Sequence, residues 1–174
     1  MNKLNSFFRF VFLMSFSILL FSCSAIDSFS PVMRPAQKLV RGIFSGRPNQ
    51  AMDQLCVQEG GVVAIIAIDA NWGQEDFEVL SQTDDTAVVR VEGRVRMSAN
   101  NIDRYIEELQ KIKVSMPDLK IPNIDLPRTG VGIQLNINYS GLEMQKGSRG
   151  WCVTRNGVYG FYEYIFAQII SALE

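Results

Sequence analysis

The side chains able to do chemistry in this chain are few. It holds three cysteines and no histidine in 174 residues. The missing imidazole removes the commonest general base near neutral pH and the commonest metal ligand together, and no metal or cofactor is expected. What remains is thiol chemistry at Cys23, Cys56 and Cys152. A thiol can be acylated, paired in an oxidising compartment, or packed as a small hydrophobe. The choice depends on where the chain resides, and the residues before Cys23 bear on that.

Lys3 and Arg9 supply a positive start, residues 10–21 form a short apolar run, and Ser22 places a small residue directly before Cys23. This order reads as a signal peptide over residues 1–22. A spanning helix needs about 20 apolar residues, and Arg9 cuts the run short of that. A plain secretory site favours small-x-small, whereas bulky Leu20 stands two positions before Ser22. Leu20-Phe21-Ser22-Cys23 looks like the lipobox of bacterial lipoproteins, in which the cysteine becomes the lipidated N-terminus. Phe21 departs from that pattern. The resemblance implies lipidation at Cys23, a cell-envelope location and a membrane partner reached through the anchor. Ser24, in place of the Asp that resembles an inner-membrane retention signal, implies the outer membrane of a diderm cell, facing the periplasm or the cell surface. With Cys23 so used, Cys56 and Cys152 remain in an oxidising compartment and are expected to pair. Two buried free thiols are the alternative.

Loss of residues 1–22 leaves 152, the size of one domain. It also leaves 15 basic against 18 acidic residues, a charge that carries no nucleic-acid footprint. Residues 23–52 are nonetheless basic, with Arg34, Lys38, Arg41 and Arg47 against Asp27 alone. This stretch follows the anchor, so it either touches anionic headgroups or forms a solvated helix face.

The elements that must position these residues follow from patterning. Residues 23–30 read as a tether and residues 31–174 as a single domain. Leu39, Val40, Ile43 and Phe44 mark a helix that starts at Pro31 or Pro35 and stops at Gly46. Pro48 opens a second helix, with Met52, Leu55 and Cys56 on one side. Residues 62–68 suit either a strand or a short helix, which periodicity does not separate; only the family resemblance given below leans to helix. Strands are expected over residues 75–81, 87–97, 131–139, 142–146 and 151–154. In the second of these, Val89, Val91, Val95 and Met97 oppose Arg90, Glu92, Arg94 and Arg96. One face of such a sheet is buried and the other wet. Within an insertion over residues 99–130, Asn100 or Asn101 is expected to cap a helix carrying Ile102, Tyr105, Ile106, Leu109 and Ile112. Three five-residue units with proline second in each then follow, from Met116 to Gly130. This Pro repeat is either a partner-binding arm presenting Leu119, Ile121, Ile124 and Leu126, or a strap that pins those side chains to the core. Residues 161–173 form a strongly apolar final helix, expected to pack on the domain.

The order helix, FSGRPNQAMDQLC, DDTAVVRVEGRV and LEMQKGSRGWCV resembles the nuclear-transport-factor-two-like (cystatin-like) α+β cone. More narrowly, it is similar to small bacterial lipoproteins of that fold with no assigned function, whose last strand often reads Lys-x-x-x-Gly-Trp, as Lys146 to Trp151 does. The likeness covers residues 31–98 and 131–155. It implies an α+β domain in which N-terminal helices pack on a bent antiparallel sheet, with the inserted helix, the strap and the C-terminal helix added. Function is then expected to be that of a non-catalytic binding or structural module, with a protein partner or a small apolar ligand. The alternative is an isomerase- or dehydratase-like enzyme using a carboxylate in the cone. Asp69, Asp103 and Tyr105 are candidates for a pocket, Glu92 falls on the polar face, and no catalytic residue is carried over from the family.

Overall fold

The computed structural model describes residues 30–56, 65–115, 119–121 and 130–174, and residues 31–174 form one compact unit. Residues 1–29, which hold Cys23, the expected signal peptide and all but the last residue of the expected tether, lie outside the described residues, as do residues 57–64 and most of the Pro repeat. Helices α1 (Met33–Phe44) and α2 (Pro48–Met52) lead into strands β1 (Asn71–Gln82) and β2 (Thr86–Met97). Helix α3 (Ala99–Ser115), strands β3 (Ile133–Gly147) and β4 (Gly150–Val153), and helix α4 (Arg155–Leu173) follow. The strands form one open antiparallel sheet in the order β1-β2-β3-β4. This is an α+β architecture.

Alternation decides which face of the sheet is covered. Val89, Val91, Val95 and Met97 are buried, while Arg94, Arg96, Gln134, Asn136 and Asn138 on the other face are exposed. Three register shifts interrupt this alternation, one of them between Val79 and Ser81 of β1, and the other two re-aim side chains. Opposite Arg94 and Glu92, β1 carries one extra residue between Gly73 and Asp76, and Gln74 there has φ 51°. The shift brings Glu75 round to the helix side, where its carboxylate takes hydrogen bonds from Arg41 of α1 and from the Trp72 indole at 2.8 Å. A second extra residue falls at Ser140-Gly141, where Val89 pairs with Leu142 but Val91 with Tyr139. The two short strands expected at residues 131–139 and 142–146 are therefore one bent strand. Without the bulge, Leu142 and Met144 would face solvent with Asn136 and Asn138.

Several other expectations are corrected. The second helix ends at Met52, which is 48% exposed. Leu55 instead bridges to Val153 in parallel, and the Cys56 amide donates to the Val153 carbonyl at 3.0 Å. Residues 65–68, the described part of the expected helix over 62–68, have no regular structure; Ile66 and Ile68 are buried. Their backbone is satisfied by other elements, with Ile68 N–H donating to Ile43 and Ile66 N–H to the Tyr162 hydroxyl. The start of α3 is held by Ser98, whose hydroxyl accepts from Asn101 N–H at 3.3 Å, while the Asn101 amide ties to the Asp69 carbonyl. Helix α4 begins six residues before the expected start, because Thr154 Oγ1 accepts from Gly157 N–H at 3.0 Å.

Helix α4 also solves an edge problem. β4 pairs only with the segment of β3 from Met144 to Gly147, which leaves the rest of that edge open. Tyr164 of α4 accepts from Asn138 N–H at 2.8 Å there. Gly157 lets the helix lie against the Glu143 backbone, where a Cβ would come within 2.7 Å, and at Gly160 a Cβ would meet the Tyr139 hydroxyl at 2.4 Å.

The candidate binding cleft

The covered side of the sheet is filled. Phe44, Tyr105, Leu109, Phe161, Tyr162 and Ile165 are all at most 1% exposed. Tyr162 organises this interior. Its hydroxyl accepts from Ile66 N–H, and its carbonyl accepts from the Tyr105 hydroxyl at 3.2 Å. Burial pushes the Tyr105 and Tyr162 phenols well above their ordinary range, and pushes Tyr139 up to about 12, with the charges of Glu143 and Glu163 adding to the effect. Among the described residues no Asp or Glu is buried. The candidates therefore stand apart from any interior site. Glu92 pairs with Arg90 at 3.2 Å on the outer face, Asp69 is exposed, and Asp103 is partly exposed beside Ile102. Tyr105 is buried and spends its hydroxyl on Tyr162. Among the described residues no cluster of three His, Cys, Asp or Glu could hold a metal ion.

Space exists elsewhere. The buried stripe of α1 runs through Ala36, Leu39, Val40 and Ile43. The helical period places Pro31, Arg34 and Lys38 on a different side. That side forms one wall of an open cleft of about 600 Å³, within the size range of ligand sites. Residues 53–56 and the β3–β4 hairpin form the others. The hairpin turns over Ser148-Arg149 between the paired Gly147 and Gly150, the latter with φ 104°, a conformation that favours glycine. Val153 N–H donates to the Gln54 carbonyl at 2.9 Å, so residues 54–56 run beside β4. Cys56 and Cys152 stand in disulfide geometry across this seam, their Cα atoms 4.9 Å apart and 96 residues apart in sequence. The expected pair thus closes the floor of the cleft.

The cleft is electropositive. Among the described residues, Arg34, Lys38 and Arg149 line it against Asp53 alone. The start of α1 adds to the field, since its first turn carries no acidic residue and Val32 provides no side-chain cap. The other basic residue of α1, Arg41, is engaged by Glu75; this hydrogen bond, with one from Trp72, holds the Glu75 carboxyl below its usual range although burial opposes it.

Of the residues expected in a partner-binding arm, Leu119 and Ile121 are 1% and 3% exposed and belong to the core. Lys120 N–H between them donates to Glu163 at 2.6 Å. That is the strap arrangement. Ile124 and Leu126 lie outside the described residues. Sequence reasoning missed the cleft: the spacing of Pro31, Arg34 and Lys38 marks one wall, but nothing along the chain brings the hairpin to it.

Comparison of the chain with protein-family models, curated proteins and solved structures returned no significant match.

Proposed function

We propose that this chain is a lipid-anchored protein of the bacterial envelope, with a cystatin-like cone whose interior serves as core and whose cleft beside Cys56 and Cys152 serves as a non-catalytic binding site. One observation carries the second half of this reading: the covered side of the sheet is packed with apolar and tyrosine side chains, while open space with polar lining lies outside it. An acid–base enzyme of the isomerase or dehydratase kind needs a carboxylate in the cone, and the described interior offers none. The antiparallel sheet, with bulges in β1 and β3 and helices on one face, supports the cone.

The anchor rests on Leu20-Phe21-Ser22-Cys23 and on the cysteine count, since Cys56 and Cys152 are used by each other. Ser24 supports the outer membrane if the cell is diderm. The test is metabolic labelling with a palmitate analogue, followed by fractionation. The full chain should be labelled and recovered in the envelope, and Cys23→Ala should lose the label. Equal labelling of Cys23→Ala, or an unlabelled parent released to the medium, would overturn the anchor.

A further inference from the structure

We infer that the cleft between α1 and the β3–β4 hairpin docks on the phosphates of anionic phospholipid headgroups, so that the domain lies on the leaflet that holds its anchor. The inference deepens the function proposed above and rests on it for the anchor. Four observations converge. Arg34, Lys38 and Arg149 face one cleft from two separate elements, and all three are exposed. The first turn of α1, with no side-chain cap and no acidic residue, turns the positive end of the helix toward the same place. Trp151, partly buried, lines the cleft beside them, and tryptophan is the residue that favours a membrane–water interface. Finally, the cleft includes Pro31, the eighth residue after Cys23. At no more than about 3.5 Å per residue, a lipidated Cys23 holds Pro31 within about 28 Å of the bilayer surface. Among the described residues Asp53 is the one acidic residue of the lining, and their sum remains positive on a chain whose overall charge is negative.

A second cationic surface provides an internal comparison. Arg94 and Arg96 lie exposed on the outer face of the sheet, around a shallower hollow of about 180 Å³ with Gln74 and Gln134. Among the described residues the lining of that surface holds no aromatic side chain. Removing its two charges changes the net charge as much as removing Lys38 and Arg149 does.

The experiment uses residues 23–174 with Cys23→Ser, which keeps the whole described core and removes the acyl anchor. Success or failure of lipidation therefore does not enter the result. Binding is measured by co-sedimentation with vesicles of phosphatidylcholine, with and without phosphatidylglycerol, and by Trp151 emission in a Trp72→Phe background. The expected result is a preference for phosphatidylglycerol vesicles, a blue-shifted Trp151, and a loss of about fivefold in partitioning for each of Arg34→Ala, Lys38→Ala and Arg149→Ala. Arg94→Ala/Arg96→Ala should bind like the parent, and circular dichroism should show every variant folded. The inference fails if phosphatidylglycerol brings no preference, or if the Arg94/Arg96 pair costs as much as Lys38/Arg149. It also fails if inorganic phosphate shifts Trp151 emission while vesicles do not, which would make the cleft a small-anion site.

Discussion

Glu75 shows how much one side chain depends on its backbone. The β1 bulge aims it at Arg41 and Trp72, and its carboxyl is held below the usual range by Arg41 first. A carboxylate whose folded pKa is lowered stabilises the fold above its unfolded value, near 4.3, and that contribution disappears as pH falls through the lower folded value. Glu75→Gln should therefore flatten the acid side of the stability profile. At neutral pH its cost should stay under about 1 kcal/mol in urea titration, because the Arg41 side chain is 52% exposed. Tyr162 is the opposite case, fully enclosed. Tyr162→Phe leaves Ile66 N–H without its acceptor, and should cost about 1–3 kcal/mol with faster exchange of that amide.

The element most exposed to change is the contact between α4 and β3. Two glycines make the close approach possible, and the Gly157 contact is to the backbone of Glu143, which cannot swing aside. Gly157→Ala should thus destabilise by roughly 1–3 kcal/mol, although alanine is the better helix former. Thermal melts decide the sign: a rise in Tm would show that β3 yields to the helix. Thr154→Ala tests the other end of the same argument and should cost about 1 kcal/mol through loss of the cap on Gly157. The glycines at 157 and 160 are also why the start of α4 is hidden in sequence. As residues they look like helix breakers, and only the neighbouring strand shows what they are for.

For the whole molecule, two features set the conditions of stability. Cys56 and Cys152 join the segment after α2 to the last strand across 96 residues of sequence. Cys152→Ser should lower unfolding free energy by about 2–5 kcal/mol, read from guanidinium titrations with and without reductant. A variant as stable as the parent would mean that the seam between residues 54–56 and β4 holds without the bond. The second feature is the group of buried phenols. Their folded pKa values are raised above the unfolded value of about 10, so their contribution is complete below pH 10 and lost as pH rises. For Tyr139 the loss falls between pH 10 and about 12, and for Tyr105 and Tyr162 it starts at the same point and continues to higher pH. Ultraviolet difference spectra should show the Tyr105 and Tyr162 phenolates appearing only with unfolding, and Tyr139→Phe should make the decline between pH 10 and about 12 shallower.

The amino-acid sequence alone determined the elements whose signals are local. Alternation in β2, the apolar stripes of α1 and α3, the Gly147–Gly150 turn and the one-sided wetness of the sheet all appear there, because period and turn chemistry are properties of neighbours in the chain. The pairing of Cys56 with Cys152 was also legible, by counting. Tertiary structure decided what depends on residues distant in sequence. It joined residues 131–139 and 142–146 into one bulged strand, left residues 65–68 without regular structure on the carbonyl of Ile43 and the hydroxyl of Tyr162, and packed Leu119 and Ile121 as a strap. It also placed the cleft away from the covered, filled face of the sheet. Arg34, Lys38 and Arg149 are more than one hundred residues apart at their extremes, and no pattern along the chain says that they face one cleft. Packing does, by sending the buried side of α1 to the core and the rest of its surface toward the hairpin.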